Sequence, residues 1–407
     1  MTAPGMNTTA IRVPARVLVV GPAAADRDTL ARQVHQEGHF AEPAGPDEAL
    51  AKLRAGRFDL VLLNVQVPGA DGPGFLKALR GDAELAAVPV IAVSADPDVV
   101  VRCLESGADD WLPGEFKPAM LRARLSAALD RRRLRDTRSL RRDMAVARNI
   151  QQDFLPESLP MAMGVQVEAA LHPARQVSGD FYDAFMLAPS GNIVLVVGDV
   201  CDKGVGAALF MALFRSLIRA SADPVGGGAI QMIGGRRTLV RQSLESATPA
   251  DLLTRVAGFT NDYIARLHGR TNMFATVFMA ALTPMTGQFD YVNAGHEPAL
   301  VVTPDGATRE LRPTGPALGL MPDAVFSAGE GALERGHCLF AFTDGLVEAR
   351  SPAGEAFGAE RLREALRANN SSASSLVRGV IEALNAFTRQ AEPHDDVTLL
   401  AATRTIG

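Results

Sequence analysis

Apolar positions along the chain follow two regimes. Between residues 15 and 128, short wholly apolar runs alternate with amphipathic stretches. Arg16–Val20, Phe58–Leu63, Val88–Val93 and Trp111–Leu112 read as strands, and 26–36, 47–54, 75–79 and 99–105 as helices. Strands apolar on both faces and separated by short helices predict a parallel sheet covered on both sides, an α/β doubly wound domain. From Pro118 the pattern becomes helical, and no Pro or Gly interrupts Ala119–Asp153. Leu121, Leu125 and Leu129 make one stripe of that helix, and Leu140, Met144 and Ala147 another. Beyond it, alternating segments at 165–171, 181–187, 193–199, 272–282, 288–293, 300–302, 310–311, 339–342 and 397–401 read as strands. Helical patterns fill 205–220, 251–267, 360–367 and 373–387. Antiparallel strands with helical pairs predict an α+β sandwich of two packed sheets flanked by helices. The expected division is a disordered tail at 1–14, an α/β domain at 15–128, a helical or coiled-coil linker at 129–155 and the α+β domain at 156–407. A Gly-rich stretch at 221–249 reads as a mobile insertion; it has no GxxxxGK[ST] frame and is no phosphate loop.

Composition adds exclusions. The 407 residues are 47% hydrophobic with net charge -5, enough for two or three real cores and poorly suited to a dedicated nucleic-acid binder. The basic block Arg131–Arg132–Arg133, Arg135, Arg138, Arg141 and Arg142 is interspersed with Asp130, Asp136 and Asp143, and reads as a solvated linker-helix face. The three cysteines are far apart and show no metal spacing. The N-terminal residues lack a basic-then-apolar signal, and no uninterrupted apolar run reaches the length of a membrane span. A cytoplasmic protein that binds neither membrane nor nucleic acid is expected.

The chemistry lies at strand ends. Asp199 ends the apolar run from Ile193, Asp180 opens a neighbouring strand, Asp344 follows Cys338–Phe342, and Asp395 precedes Val397–Leu400. A carboxylate where a core strand leaves the interior is costly unless paired, and a divalent cation is a suitable partner. With no His or Cys in the set, a hard ion with oxygen ligands is indicated, Mn²⁺ or Mg²⁺. Any one Asp-Gly at a strand end is more often a turn; four acidic strand ends together are harder to account for that way.

The ordered pieces Ser178-Gly179-Asp180-Phe181-Tyr182-Asp183, Gly198-Asp199-Val200, Lys203-Gly204, Asn293-Ala294-Gly295-His296, Gly315–Leu320, Thr343-Asp344-Gly345 and Asp395-Asp396-Val397-Thr398 carry a resemblance. They resemble the bacterial PP2C-type (PPM) metal-dependent serine/threonine phosphatases of the RsbU/SpoIIE branch, over residues 145–405. That resemblance implies two ions, Mn²⁺ or Mg²⁺, which activate a water for in-line attack on a phosphomonoester. It implies Asp199 as the ligand shared by both ions, the Val200 carbonyl acting through water, Asp180 on one ion, and Asp344 and Asp395 on the other. His296 either orients substrate, protonates the leaving oxygen or is a structural turn residue. Asp183, Asp202 and His394 have shell, turn or solvated roles, and Asp396 points away from Asp395 by strand alternation. Arg175 is a candidate for the phosphate-binding arginine that this branch lacks. The implied substrate is a phosphorylated anti-sigma-factor antagonist in a partner-switching pathway. A catalytically inactive scaffold that sequesters the antagonist is the alternative; its signature would be lost carboxylates, and all four are present. A DNA-binding regulator would need a basic C-terminal helix-turn-helix, and none is visible.

The motifs PGADG and GADDW, with the segment lengths of residues 15–128, resemble the response-regulator receiver domain. Its chemistry is missing. Gly21 and Pro22 stand where an acidic pair is needed, Asn64 stands at the phosphoacceptor position, and Gly114 and Glu115 stand where a Lys is needed. Lys117 lies three residues beyond Gly114, and only Ser94 matches a functional group. An amide is a poor nucleophile beside a carboxylate. The reading is a pseudo-receiver that is not phosphorylated and either binds an unknown regulator or contributes to a homodimer.

Overall fold

The computed structural model describes residues 14–65, 71–222, 228–233, 236–241, 248–389, 391 and 393–405. Nearly all of the expected N-terminal tail, the middle of the 64–72 loop and much of the 221–249 insertion lie outside the described residues. The chain divides into two compact units, Met1–Arg142 and Asp143–Gly407.

In the first unit, β1 (Arg16–Val20), α1 (Ala24–Gln36), β2 (Phe40–Ala44), α2 (Pro46–Ala55), β3 (Leu60–Asn64), α3 (Gly72–Arg80), β4 (Val90–Val93), α4 (Pro97–Glu105) and β5 (Asp110–Leu112) alternate, and α5 (Pro118–Asp153) follows. The sheet order is β2-β1-β3-β4-β5, with every pairing parallel. Wholly apolar strands bury both faces. Leu18, Val20, Val61 and Leu63 pack toward α2 and α3, and Val17, Val19, Leu60 and Leu62 toward α1 and the start of α5. The first three turns of α5 belong to this core through Leu121, Leu125, Ala128 and Leu129. Strand β2 is absent from the sequence reading. Its residues FAEPA include Glu42 and Pro43, which suit an edge strand and break the apolar signal.

The second unit continues with β6 (Val165–His172), β7 (Asp180–Met186), β8 (Ile193–Val200), α6 (Val205–Ala222), β9 (Gly228–Ile233), β10 (Arg236–Arg241), α7 (Pro249–Leu267), β11 (Ala275–Leu282), β12 (Gln288–Ala294), β13 (Ala299–Val302), β14 (Thr308–Leu311), β15 (Gly329–Ala332), β16 (Cys338–Phe342), α8 (Gly345–Glu348), α9 (Gly358–Ala368), α10 (Ala373–Thr388) and β17 (Val397–Arg404). One antiparallel sheet runs β15-β12-β11-β8-β7 and the other β14-β13-β16-β17-β6. Strand alternation sorts the side chains into three layers. Leu195, Val197, Phe278 and Ala280 meet Val301, Leu339, Ala341, Leu400 and Ala402 between the sheets. The outer face of the first sheet, through Phe181, Val194, Val196 and Met279, lies under α6 and α7. The outer face of the second, through Phe340, Phe342, Leu399 and Ala401, lies under α9 and α10. Between α6 and α7, β9 and β10 form an antiparallel hairpin that the Gly-rich reading did not foresee. Among the described residues, α6 alone is long and apolar enough to cross a membrane by length and composition. Here Ala207, Met211, Phe214 and Ile218 bury it in the core.

Candidate functional site

The inner faces of the two sheets run out of hydrophobic residues at one end of the sandwich, and acidic and hydroxyl groups replace them there. On β8 the inward positions Ile193, Leu195 and Val197 are succeeded by Asp199. On β7 the inward positions Ala184 and Tyr182 are succeeded toward the N-terminus by Asp180, which pairs directly with Asp199. Thr276, on the other side of β8, also faces Asp199 in register. From the opposite sheet, Thr343 continues the inward parity of Leu339 and Ala341, and Thr398 that of Leu400 and Ala402. Both hydroxyls donate to Asp180 Oδ2, Thr343 at 2.7 Å and Thr398 at 2.8 Å. Asp180 is therefore the point where the two sheets are tied across the sandwich, and it is 2% exposed.

Asp344 follows Thr343, and Asp395 precedes β17 by two residues. Gly345 is what lets those two segments approach. A Cβ there would lie 2.0 Å from the Asp396 carbonyl oxygen and 3.2 Å from the Asp395 Cβ. Gly179 serves similarly under β8, where a Cβ would meet the Val200 carbonyl oxygen at 3.0 Å.

Burial and the charges of neighbouring carboxylates shift Asp180, Asp199 and Asp344. Burial, followed by the charge of Asp199, raises the Asp180 carboxyl well above the usual range, against the pull of the two threonine hydroxyls. Burial, followed by the charge of Asp344, pushes Asp199 up to about 7. Burial, Asp395 and Glu348 raise Asp344. Glu297, next to His296 in the chain, is raised by burial and by Asp344, so it belongs to the same acidic field. Lys203 brings a cation to this field: its Nζ donates to Asp395 Oδ2 at 2.6 Å and to the His394 carbonyl at 2.9 Å.

Among the described residues, no three Asp, Glu, His or Cys side chains form a compact group of the kind that holds an ion. The carboxylates instead form an open set of like charges with oxygen donors only, and their mutual repulsion is what a hard divalent cation relieves. Oxygen donors alone are the donor chemistry of a hard divalent cation.

Other candidate residues lie apart from this set. Asp183 is on the opposite face of β7, 1% exposed, where Arg215 (3.1 Å) and Arg219 (2.7 Å) of α6 pair with it. Asp396 accepts from the Ala174 amide at 2.7 Å and the Gly179 amide at 2.9 Å, clamping both ends of the loop that carries Arg175. Arg175 itself is exposed. Asp202 is exposed with φ 72°, and its Oδ1 accepts from the Lys203 amide. His296 is 3% exposed and Nδ1 lies 2.8 Å from Thr276 Oγ1. Burial lowers its pKa to about 4, so the ring is neutral at neutral pH.

Sequence reasoning gave no role to Thr343, Thr398, Thr276, Glu297 or Gln151. Gln151, near the end of α5 and buried, accepts from the Ser178 amide at 2.9 Å and donates to its carbonyl at 2.7 Å, two residues before Asp180. The inward parity of Thr343 and Thr398 was readable from their strands, and so was the outward parity of Asp183. The Gln151 contact had no signal in the sequence pattern.

The sequence profile of the stage II sporulation protein E (SpoIIE) family matches residues 189–405, and that of the response regulator receiver domain matches residues 17–126. Over 266 residues the chain is 40% identical to protein IcfG of Synechocystis; the match covers 65% of this chain but only 42% of that relative. Over 270 residues it is 26% identical to the phosphoserine phosphatase RsbU of Bacillus subtilis, covering 66% of this chain and 71% of RsbU. The SiaA-PP2C domain of Pseudomonas aeruginosa superposes with a TM-score of 0.51 at 20% identity, over 65% of this chain and 97% of that domain, a likeness of fold alone.

Proposed function

The chain belongs to the SpoIIE family, with a PP2C-type domain preceded by a receiver-like one, and from that membership we propose that it is a divalent-metal-dependent protein serine/threonine phosphatase. The observation that carries the reading is the pairing of Asp180 with Asp199 on adjacent strands, tied by Thr343 and Thr398 to the sheet that brings Asp344 and Asp395. Asp199, Asp180, Asp344 and Asp395, with the Val200 carbonyl, are the groups that would hold the two ions, Asp199 being the one that would serve both. Bound there, Mn²⁺ or Mg²⁺ supplies charge neutralisation for phosphoryl oxygens and an activated water. The residues of the chain do the positioning. The two threonines hold the Asp180 carboxylate in one rotamer, and Asp396 pins the Ala174–Gly179 loop beside it. Neutral His296, through Thr276, fixes the side of β8 opposite Asp180.

The substrate we infer is a phosphoserine or phosphothreonine protein, an anti-sigma-factor antagonist in a cytoplasmic partner-switching pathway. The name of the RsbU relative supports the phosphoserine class. The expected result is Mn²⁺- or Mg²⁺-dependent phosphate release from a phosphorylated antagonist encoded nearby, and full release in the presence of a chelator would sink the reading.

A homodimer joined through α5 is part of the same proposal. Leu134, Leu140, Val146 and Ile150 of this helix are 55–59% exposed, large apolar side chains that a lone helix leaves in water. Sedimentation velocity should show a dimer at about tens of micromolar chain, in the affinity range of ordinary helix pairs; a monomer there overturns it.

A further inference from the structure

Residues 178–180 carry the chain into β7 and deliver Asp180, and side chains hold much of their backbone. β7 is the edge strand of its sheet, paired on one side with β8. Ser178 is wholly buried, so its amide and carbonyl cannot turn to water and need partners inside the protein. One group serves both. Gln151 Oε1 accepts from the Ser178 amide at 2.9 Å, and Gln151 Nε2 donates to the Ser178 carbonyl at 2.7 Å. A side-chain amide carries a donor and an acceptor as a peptide does, so Gln151 does for Ser178 what a further strand would do. The next two amides are also met by side chains: Gly179 donates to Asp396 Oδ2 at 2.9 Å, and Asp180 to the Ser178 hydroxyl at 3.0 Å. Gln151 is exceptional on its own helix. Among the described residues of α5, none between Leu129 and Gln151 is buried, and the side chain that then goes in is polar. Burying an amide is unfavourable unless its donor and its acceptor are both matched. An anchor for the helix end alone would be apolar, as Leu155 just beyond it is, packed on the core beneath α6 and α7.

We propose that Gln151 is a positioning residue for Asp180. It fixes the backbone from which the Asp180 carboxylate meets a divalent ion, while Thr343 and Thr398 fix the carboxylate itself. The inference rests on the reading of Asp180 as a metal ligand of the proposed phosphatase. Groups that orient metal ligands from behind set the affinity for the ion. Gln151 acts through Ser178 and Asp180, so its loss changes metal affinity and leaves recognition of the phosphoryl substrate alone.

Mn²⁺ titration of the full chain, followed by electron paramagnetic resonance, compares Gln151→Met, Gln151→Ala and Asp183→Asn with wild type. Gln151→Met keeps the length of the side chain and removes both hydrogen bonds; Gln151→Ala also opens a cavity. Both should weaken Mn²⁺ binding by about tenfold or more, and by similar factors, although the alanine variant melts lower. Asp183→Asn should melt lower too and keep its Mn²⁺ affinity. In the metal-free chain, amide hydrogen exchange over 178–180 should be faster in both Gln151 variants. At saturating Mn²⁺ their KM for p-nitrophenyl phosphate should stay within about twofold of wild type. A purely structural role makes the loss of Mn²⁺ affinity follow the loss of melting temperature through all three variants, and that result overturns the proposal. So does a Gln151→Met chain that binds Mn²⁺ within about twofold of wild type, which leaves the phosphatase reading standing. A chain whose Mn²⁺ binding depends on Gln151 but which releases no phosphate sustains the positioning role and sinks the phosphatase reading.

Discussion

Asp199→Asn is expected to lower metal-dependent phosphate release by about a thousandfold or more, with the chain still folded. The amide keeps the shape of the side chain and its place at the end of β8, between Asp180 and Thr276. It removes the one carboxylate that faces both neighbours, Asp180 on its own sheet and Asp344 across the sandwich, each of which figures in its electrostatics. A neutral oxygen is a much weaker ligand for a hard divalent ion than an anionic one. Loss should therefore show twice, in turnover at saturating Mn²⁺ and in the number of Mn²⁺ ions retained per chain by electron paramagnetic resonance. Asp183→Asn is the internal contrast. Asp183 lies on the other face of β7 against Arg215 and Arg219, so its loss strands the largely buried Arg215 guanidinium. It should cost stability and leave Mn²⁺ stoichiometry intact. An Asp199→Asn enzyme with about a tenth or more of the wild-type rate would remove Asp199 from the centre of the reaction.

That contrast also shows where the sequence was legible. The parallel sheet of the first unit could be read because strands such as VLVV and LVLL are apolar on both faces. The sandwich could be read because alternating strands such as Ile193–Val200 and Val397–Arg404 accompany pairs of amphipathic helices. What escaped was of two kinds. Edge strands carry weak patterns: FAEPA at β2 and GEGA at β15 pair on one side only, and packing does not select their residues strongly. Partners distant in sequence carry no pattern at all. Thr398 reaches Asp180 across 218 residues, and Lys203 reaches Asp395 across 192. Those contacts exist only once both sheets have closed. Asp180 and Asp183 illustrate the intermediate case. Three residues apart on a strand means opposite faces, so period-two geometry separates the two carboxylates, and the structure shows Asp180 facing Thr343 and Thr398 and Asp183 facing Arg215 and Arg219.

The metal-free protein should lose stability as pH rises from about 5 to about 8, and Mn²⁺ should restore it. Asp199 titrates near 3.8 when unfolded and at about 7 in the fold, and Asp180 and Asp344 are raised in the same direction. A carboxyl whose pKa is raised by folding binds its proton more tightly in the native state. Its favourable contribution is complete below the unfolded pKa and disappears as pH climbs through the folded one. At pH 8 the native state must therefore hold several repelling carboxylates, a penalty of a few kcal/mol by linkage, which lowers the melting temperature by roughly 5–10 °C. Ions that bind the native site but not the unfolded chain reverse this by mass action. Calorimetry of the full chain at the two pH values, with and without Mn²⁺, measures both effects. Asp199→Asn supplies the decisive comparison, since an amide does not titrate. Metal-free, this variant should melt higher than wild type at pH 8 and show a flatter pH profile, although it is the less active enzyme. A wild-type melting temperature that stays level or rises from pH 5 to pH 8 in chelator would show that the four carboxylates do not form one repelling set.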